Sequence, residues 1–287
     1  MISKVHIQAG LRDGISFLRR VYYTPPFKVA DITEDRKGGP LQLMLMCSSP
    51  GILDEDEYEM KLELEEACSL QLHTQSYQRL FDMKKGASQT MEIRVGKGAS
   101  FCYLPHPCVP HANSIYTGRN RIFLSEGSGL IWGEVLTCGR KLSGESFQYS
   151  RYQSMTEVFI KGRLALRDNI CLRPSITDIH GIGQLEGFTH QGSLLFLREG
   201  PDPHKGKGEG PGAMQYSFGW AREEIESLLL KEKDIAFGIS SPPGGGWIVR
   251  ILGNRAEQLH ACLKKIALIA EQTDATGYLH KPTVYAS

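Results

Sequence analysis

Three potential metal ligands, His106, Cys108 and His111, crowd into the stretch Leu104-Pro-His-Pro-Cys-Val-Pro-His-Ala-Asn-Ser114. Pro105, Pro107 and Pro110 fix φ, so this backbone is extended and turn-rich and cannot be helical. A rigid segment carrying imidazole and thiolate donors is one way to hold a transition metal. The plainer alternative is that the prolines shape a turn and the three side chains are incidental, because metal sites usually space their ligands more widely. The same residues offer Cys108 as a thiol nucleophile with His106 or His111 as its base. Neighbours on an extended backbone point in different directions, which counts against that pairing.

Glu134 and Glu145 form a second constellation, a carboxylate pair of the kind that cleaves glycosides. The aromatic support is thin, with Trp132, Tyr149 and Tyr152 nearby in sequence. There is no Gly-x-Ser-x-Gly elbow to carry a serine nucleophile. Neither His-x-x-x-His nor Cys-x-x-Cys occurs, so a tight closed metal site is not expected. What remains is a set of isolated acids, Glu57, Glu134, Glu145 and Asp168, beside strand-like segments. Carboxylates hold borderline metal ions more weakly than imidazole or thiolate, which suits a protein that hands an ion on. The competing reading pairs these acids with Arg140, Arg163 or Arg167 in structural ion pairs.

The elements that must position these side chains are mostly strands. Leu41-Gln-Leu-Met-Leu-Met-Cys47 is an apolar run suited to a strand buried on both faces, and Tyr58 to Glu65 alternates apolar and charged residues strictly. The acidic cluster from Asp54 to Glu66 is best explained as the wet face of that strand. Further strand-like pieces follow at short spacing, separated by Gly-containing turns, and Lys161-Gly-Arg163 joins two of them as a hairpin. This spacing, without intervening helices, points to stacked antiparallel sheets. The segment Asp202 to Gly212 is glycine-rich but lacks the Gly-Lys-Ser/Thr ending of a phosphate loop, and reads as a mobile surface loop. Beyond it the character changes. Ile225, Leu228 and Leu229 fall at helical spacing, and Asn254 can cap a second helix carrying Ala256, Leu259, Leu263, Ile266 and Ile269, apolar positions that more often cover a sheet than bind a partner. The tail from Thr273 to Ser287 is poor in apolar residues apart from Tyr278, Leu279, Val284 and Tyr285, and is expected to be mobile.

Bulk properties set outer bounds. The 287 residues suffice for a substantial core, and a formal net charge of +1 argues against an electrostatic partner such as nucleic acid. Seven cysteines, an odd number without paired spacing, speak against a disulfide framework and for a reducing cytoplasm. The chain start shows neither a signal peptide nor a membrane segment, the longest apolar run being Ile266-Ala-Leu-Ile-Ala270.

Several ordered segments together resemble the urease accessory family called UreD, or UreH in some bacteria. Leu104-Pro-x-Pro-x-x-Pro-His-Ala-Asn-Ser114 is similar to the family's Leu-Pro-x-Pro-x-Ile-Pro-Phe-x-x-Ser segment. Thr74-Gln-Ser-Tyr-Gln-Arg-Leu-Phe81 resembles its Thr/Ser-Gln-x-x-x-Lys-x-Tyr segment. Trp132-Gly-Glu-Val-Leu-Thr-Cys-Gly-Arg140, with Gly144-Glu-x-Phe147 after it, resembles its Trp-x-Asp/Glu-x-x-x-x-Gly-Arg-x-x-x-Gly-Glu-x-Phe segment. Smaller echoes are Thr24-Pro-Pro-Phe-Lys28, Ser49-Pro-Gly51, Asp168 after Gly162-Arg-Leu-Ala-Leu166, and Gly187-Phe-Thr-His190.

The resemblance implies an all-β, irregular β-helix-like stack of two mainly antiparallel sheets with two C-terminal α-helices. It implies one domain over 1–287, with the loop near 202–212 and a flexible tail near 273–287. It further implies a cytoplasmic, non-enzymatic scaffold, a metallochaperone that binds UreF, through it the GTPase UreG, and apo-urease. Nickel is then a transient, weakly bound cargo moving along a polar interior passage. Matched residue by residue, the candidates for that passage are Glu57, Thr74, Gln75, Glu134, Arg140, Glu145 and Asp168. Glu57 is an imperfect match, because Glu55 and Asp56 replace two glycines of the family pattern. His106, Cys108 and His111 stand where the family has other residues, so a metal role for them is peculiar to this chain. The C-terminal helix and tail, with Leu259, Leu263, Ile266 and Tyr278, are the expected contacts to UreF. The runner-up is a β-rich carbohydrate-active enzyme using Glu134 and Glu145.

Overall fold

Alternation of apolar and polar side chains sets the architecture, because each strand has one face to bury and one to leave wet. In a computed structural model describing residues 2–198, 219–242 and 245–275, these segments form seventeen strands and two helices. In chain order they are β1 (Ile2–Arg12), β2 (Ile15–Tyr23), β3 (Phe27–Asp31), β4 (Leu41–Cys47), β5 (Glu57–Leu64), β6 (Ser69–Thr74), β7 (Gln78–Leu80), β8 (Ala87–Val95), β9 (Ser100–Tyr103) and β10 (Cys108–Pro110). Next come β11 (Ile115–Leu124), β12 (Gly129–Leu136), β13 (Arg151–Ile160), β14 (Arg163–Leu172), β15 (His190–Arg198), α1 (Gly219–Leu229), β16 (Ala236–Ser240), β17 (Gly246–Gly253) and α2 (Ala256–Ala275). The Gly-rich loop expected near 202–212 and the tail beyond Ala275 lie outside the described residues. Residues 273–275, expected in the tail, continue α2.

The chain is all-β with two helices near its C-terminal end, as the sequence implies. The first sheet runs β14-β13-β11-β8-β5-β1-β2, and the second β16-β17-β15-β12-β9-β6-β4-β3. One expectation is corrected: the centres of both sheets are parallel, not antiparallel. β1, β5, β8, β11 and β13 all run the same way, as do β4, β6, β9 and β12. The reason lies in the turns. From β4 onward most turns carry the chain across to the other sheet, so neighbours within a sheet belong to successive coils of a β-helix-like winding. Antiparallel pairs are confined to the flanks, as in β1–β2, β3–β4 and β13–β14. The β13–β14 hairpin is the one read from Lys161-Gly162. Both residues have positive φ, at 51° and 74°, the backbone that a tight two-residue turn requires.

Two cores result. Between the sheets lie residues such as Ile7, Leu43, Leu62, Leu72, Ile93, Phe101, Ile122 and Val158. Behind the second sheet, Ile131, Val135, Leu194, Phe196 and Val249 pack against Ile225 and Leu229 of α1 and against Leu259, Leu263 and Ile266 of α2. The second sheet is therefore covered on both faces, which is why β12 is buried along almost its whole length. Leu259, Leu263 and Ile266 are at most 1% exposed. The stripe covers the sheet, as its spacing suggests, and this corrects the assignment of the three residues as partner contacts that the family resemblance implied. No helix among the described residues is long and apolar enough to cross a membrane.

This placement predicts that Leu263→Ala destabilises the fold by about 2–5 kcal/mol, the cost of a cavity at a fully buried leucine. Denaturant unfolding monitored by circular dichroism measures it. A variant as stable as the parent would return Leu263 to the surface.

Candidate functional site

Strand register explains where polar side chains enter the interior. One inward row of the first sheet reads Val5, Met60, Met91, Asn120, Thr156, Asp168 from β1 across to β14. The row beside it reads Ser3, Tyr58, Gln89, Gly118, Ser154, Ile170. Towards β11 and β13 the interior thus turns from apolar to polar. The facing row of the second sheet is Glu134, Ser193 and Arg250 on β12, β15 and β17. Two polar rows meet between the sheets.

Glu134 is the centre of this meeting. Its carboxylate accepts from the Trp132 indole Nε1 at 3.0 Å, from Ser154 Oγ at 3.0 Å, and at longer range from Asn120 Nδ2 at 3.4 Å. Asn120 Nδ2 also donates to Thr156 Oγ1 at 3.0 Å. All the donors to Glu134 are neutral. Burial accordingly pushes its carboxyl above the usual range; the Trp132 and Ser154 hydrogen bonds oppose this and the Asp168 charge adds to it. A carboxylate kept from water and given no cation is costly to ionise.

A cavity of about 20 Å³, lined by Trp132, Glu134, Thr156, Asp168 and Ser193 among others, lies between the rows. That is room for about one water molecule. At its outer side Asp168 accepts from Arg250 at 2.7 Å, with both side chains partly exposed. On the inner side Cys108, Tyr116 and Tyr152 extend the seam; the two tyrosine rings stack at 5.7 Å. Burial is the main cause that raises the Cys108 thiol and both phenols, and the nearby Glu134 carboxylate also contributes. Gln78 Nε2 donates to Gln89 Oε1 at 3.0 Å farther along.

Of the seven candidates for the polar interior, Glu134 and Asp168 line this cavity and the other five do not. Glu57 is exposed at the start of β5, on the outward side of the alternation. Gln75 is exposed beyond the end of β6. Thr74 is half-buried at the end of β6, where its Oγ1 accepts from the His106 backbone N–H at 2.8 Å. Arg140 and Glu145 pair with each other at the surface, Arg140 Nε lying 2.9 Å from Glu145 Oε2. Glu145 also accepts from the Ala112 backbone N–H at 3.3 Å.

Glu134 and Glu145 consequently do not flank a common cleft, and the glycosidase pairing is withdrawn. The metal cluster proposed at the proline-rich stretch also dissolves. His106 turns to His260 of α2, with ring centroids 5.3 Å apart, Cys108 turns into the seam, and His111 packs edge-on against Phe81 at 4.8 Å. The extended backbone sends the three side chains to three places. Among the described residues no group of three or more His, Cys, Asp or Glu side chains could hold a metal ion.

Comparison with known proteins is decisive at this point. The family model described as UreD urease accessory protein matches residues 2–284. The chain belongs to the UreD urease accessory protein family. It is 42% identical over 266 residues to the urease accessory protein UreD of Flavobacterium johnsoniae, covering 93% of this chain and 91% of that one. The UreD proteins of Acetivibrio thermocellus and Haemophilus influenzae are each 33% identical, over 92% and 93% of this chain and 95% and 97% of theirs. Membership in the UreD family assigns the chain a role in urease maturation, accessory rather than catalytic.

Sequence reading missed Asn120, Ser154, Thr156, Ser193 and Arg250. The signal was present for the first three. Asn120 shares the inward parity of Ile122 and Leu124, and Ser154 and Thr156 that of Val158. Polar residues on an otherwise apolar stripe mark a polar interior.

The raised carboxyl of Glu134 has a sign that can be measured. The folded chain binds this proton more tightly than the unfolded chain does. The stabilising effect is full below the ordinary value of 4.5 and is lost as pH rises through the raised one. Glu134→Gln cannot ionise and escapes that loss. Its melting temperature relative to the parent is expected to move upward between pH 4.5 and pH 7, in thermal scans across that range. A carboxylate held by a cation would move it downward.

Proposed function

We propose that this chain is a scaffold for urease maturation that binds UreF, through it the GTPase UreG, and apo-urease, and that it assists nickel delivery to the urease active site. The observation that carries the reading is the half-buried, cation-free carboxylate of Glu134 between the two sheets of a chain of the UreD family. Nickel is cargo here, not a resident cofactor. A single carboxylate surrounded by hydroxyl, amide and indole groups binds a divalent ion weakly and releases it readily. Asp168 supplies the second oxygen donor across the small cavity, tied to Arg250 until a competing cation displaces the guanidinium. The scattering of the histidines and cysteines fits the same logic, because a tight site would keep the ion. Action in the cytoplasm accords with seven cysteines that form no disulfide.

Co-expression of the tagged chain with the host's UreF homologue, followed by size exclusion and mass measurement, tests the scaffold reading. The expected result is a stable complex that then recruits UreG and apo-urease. A chain that elutes alone, indifferent to UreF, would sink it.

A further inference from the structure

The outer faces of the two sheets are not clothed alike. Helices pack on the outer face of the second sheet. The first sheet, whose strands β1, β5, β8, β11 and β13 run parallel, has no such cover among the described residues. Parallel strands are ordinarily covered on both faces. Strand register sorts the β8 to β14 half of this bare face into three neighbouring rows. They read Arg94, Phe123, Phe159, Leu164; then Glu92, Arg121, Glu157, Arg167; then Thr90, Arg119, Met155, Asn169. All of these residues are exposed or half-buried.

Two features set the rows apart from an ordinary wet face. The first is aromatic. Phe123 and Phe159 stack with ring centroids 4.9 Å apart and planes 15° from parallel. Arg94 and Arg121 lie over the Phe123 ring at 4.6 and 5.4 Å, and Arg121 lies 5.3 Å from the Phe159 centroid. Beside Phe159, Leu164 is 44% exposed.

The second feature is charge, because in these rows four arginines meet two glutamates. Glu92 pairs with Arg94 at 2.9 Å, and Glu157 is shared between Arg167 at 2.7 Å and Arg121 at 4.0 Å. Arg119 is exposed and has no acidic partner among the described residues. A guanidinium stacked on a ring keeps its fork of N–H donors for a carboxylate. Arginine and aromatic side chains are also the groups enriched where proteins meet.

We propose that this face docks an acidic protein surface, whose carboxylates reach Arg119, Arg121 and Arg167 and whose apolar side chain rests on Phe159 and Leu164. β14 ends the sheet and pairs with β13 alone among the described residues, so no described strand flanks the occupant on that side. A single-stranded nucleic acid would need open ring faces on which to stack its bases. Here the two rings face each other and the arginines, which favours the protein. The inference goes beyond the scaffold reading by naming a face, and stands apart from the nickel reading.

A fluorescein-labelled peptide of alternating glutamate and leucine, titrated with the full chain and followed by anisotropy, tests the proposal. Saturable binding is expected, weakened about tenfold by Arg119→Glu with Arg167→Glu. Lys28→Glu with Lys37→Glu makes the same charge change at exposed lysines away from this face and should leave binding unchanged. Arg119→Glu alone removes no ion pair of the fold, so it decides the matter where the double variant unfolds. A peptide with serine in place of leucine should bind several-fold more weakly, its charge being the same. Equal weakening by the arginine and lysine variants, or equal binding of the serine peptide, would reduce the face to a diffuse basic surface. Tighter binding of an oligothymidylate of equal charge would assign it to nucleic acid, and no peptide binding would leave it without this partner. Each of these outcomes overturns the proposal.

Discussion

The desolvation of Glu134 is the constraint on which the candidate site depends. An ionised carboxylate between two sheets is tolerated only where hydrogen-bond donors replace water, and here the replacements are an indole, a hydroxyl and an amide. None carries charge, so proton affinity stays high and the group remains open to a cation. Each donor is fixed by its strand: Trp132 two residues away on β12, Ser154 on β13 and Asn120 on β11. Removing the parallel alignment of β11 and β13 would scatter the donors.

That alignment follows from the winding. Because the chain crosses from sheet to sheet at successive turns, equivalent positions of successive coils stack into rows. An inward row can then change character gradually, from Val5 and Met60 to Thr156 and Asp168, without breaking a strand. The apolar end holds the sheets together and the polar end remains available for chemistry. The helices contribute indirectly: α2 covers the far face of β12 and β15, excluding water from the side of the second sheet opposite the seam.

Much of this was legible in the residues. Alternation in Tyr58 to Leu64 located a half-buried strand, Lys161-Gly162 located a hairpin, and the stripe from Leu259 to Ile266 located the second helix. Pairing direction was not legible, since a glycine turn looks the same whether it closes a hairpin or carries the chain to the opposite sheet. The site was half legible. Glu134 and Asp168 stood out as acids within matched segments, whereas Arg250 became their neighbour only through the β15–β17 register. Glu145 and Arg140 matched equally well by sequence and prove to be a surface ion pair, because a motif marks a position along the chain and not its depth. His106, Cys108 and His111 illustrate the same limit: closeness in sequence on a proline-locked backbone separated them in space.

The most direct test of the account is nickel loading of apo-urease by the assembled complex, comparing the parent chain with Glu134→Gln. Metal content of the purified urease and assembly of the complex are measured on the same samples. The account predicts that the variant assembles with its partners as the parent does but leaves the urease largely without nickel. A variant that assembles and loads urease as fully as the parent would contradict it, and would leave the polar seam with a structural role alone.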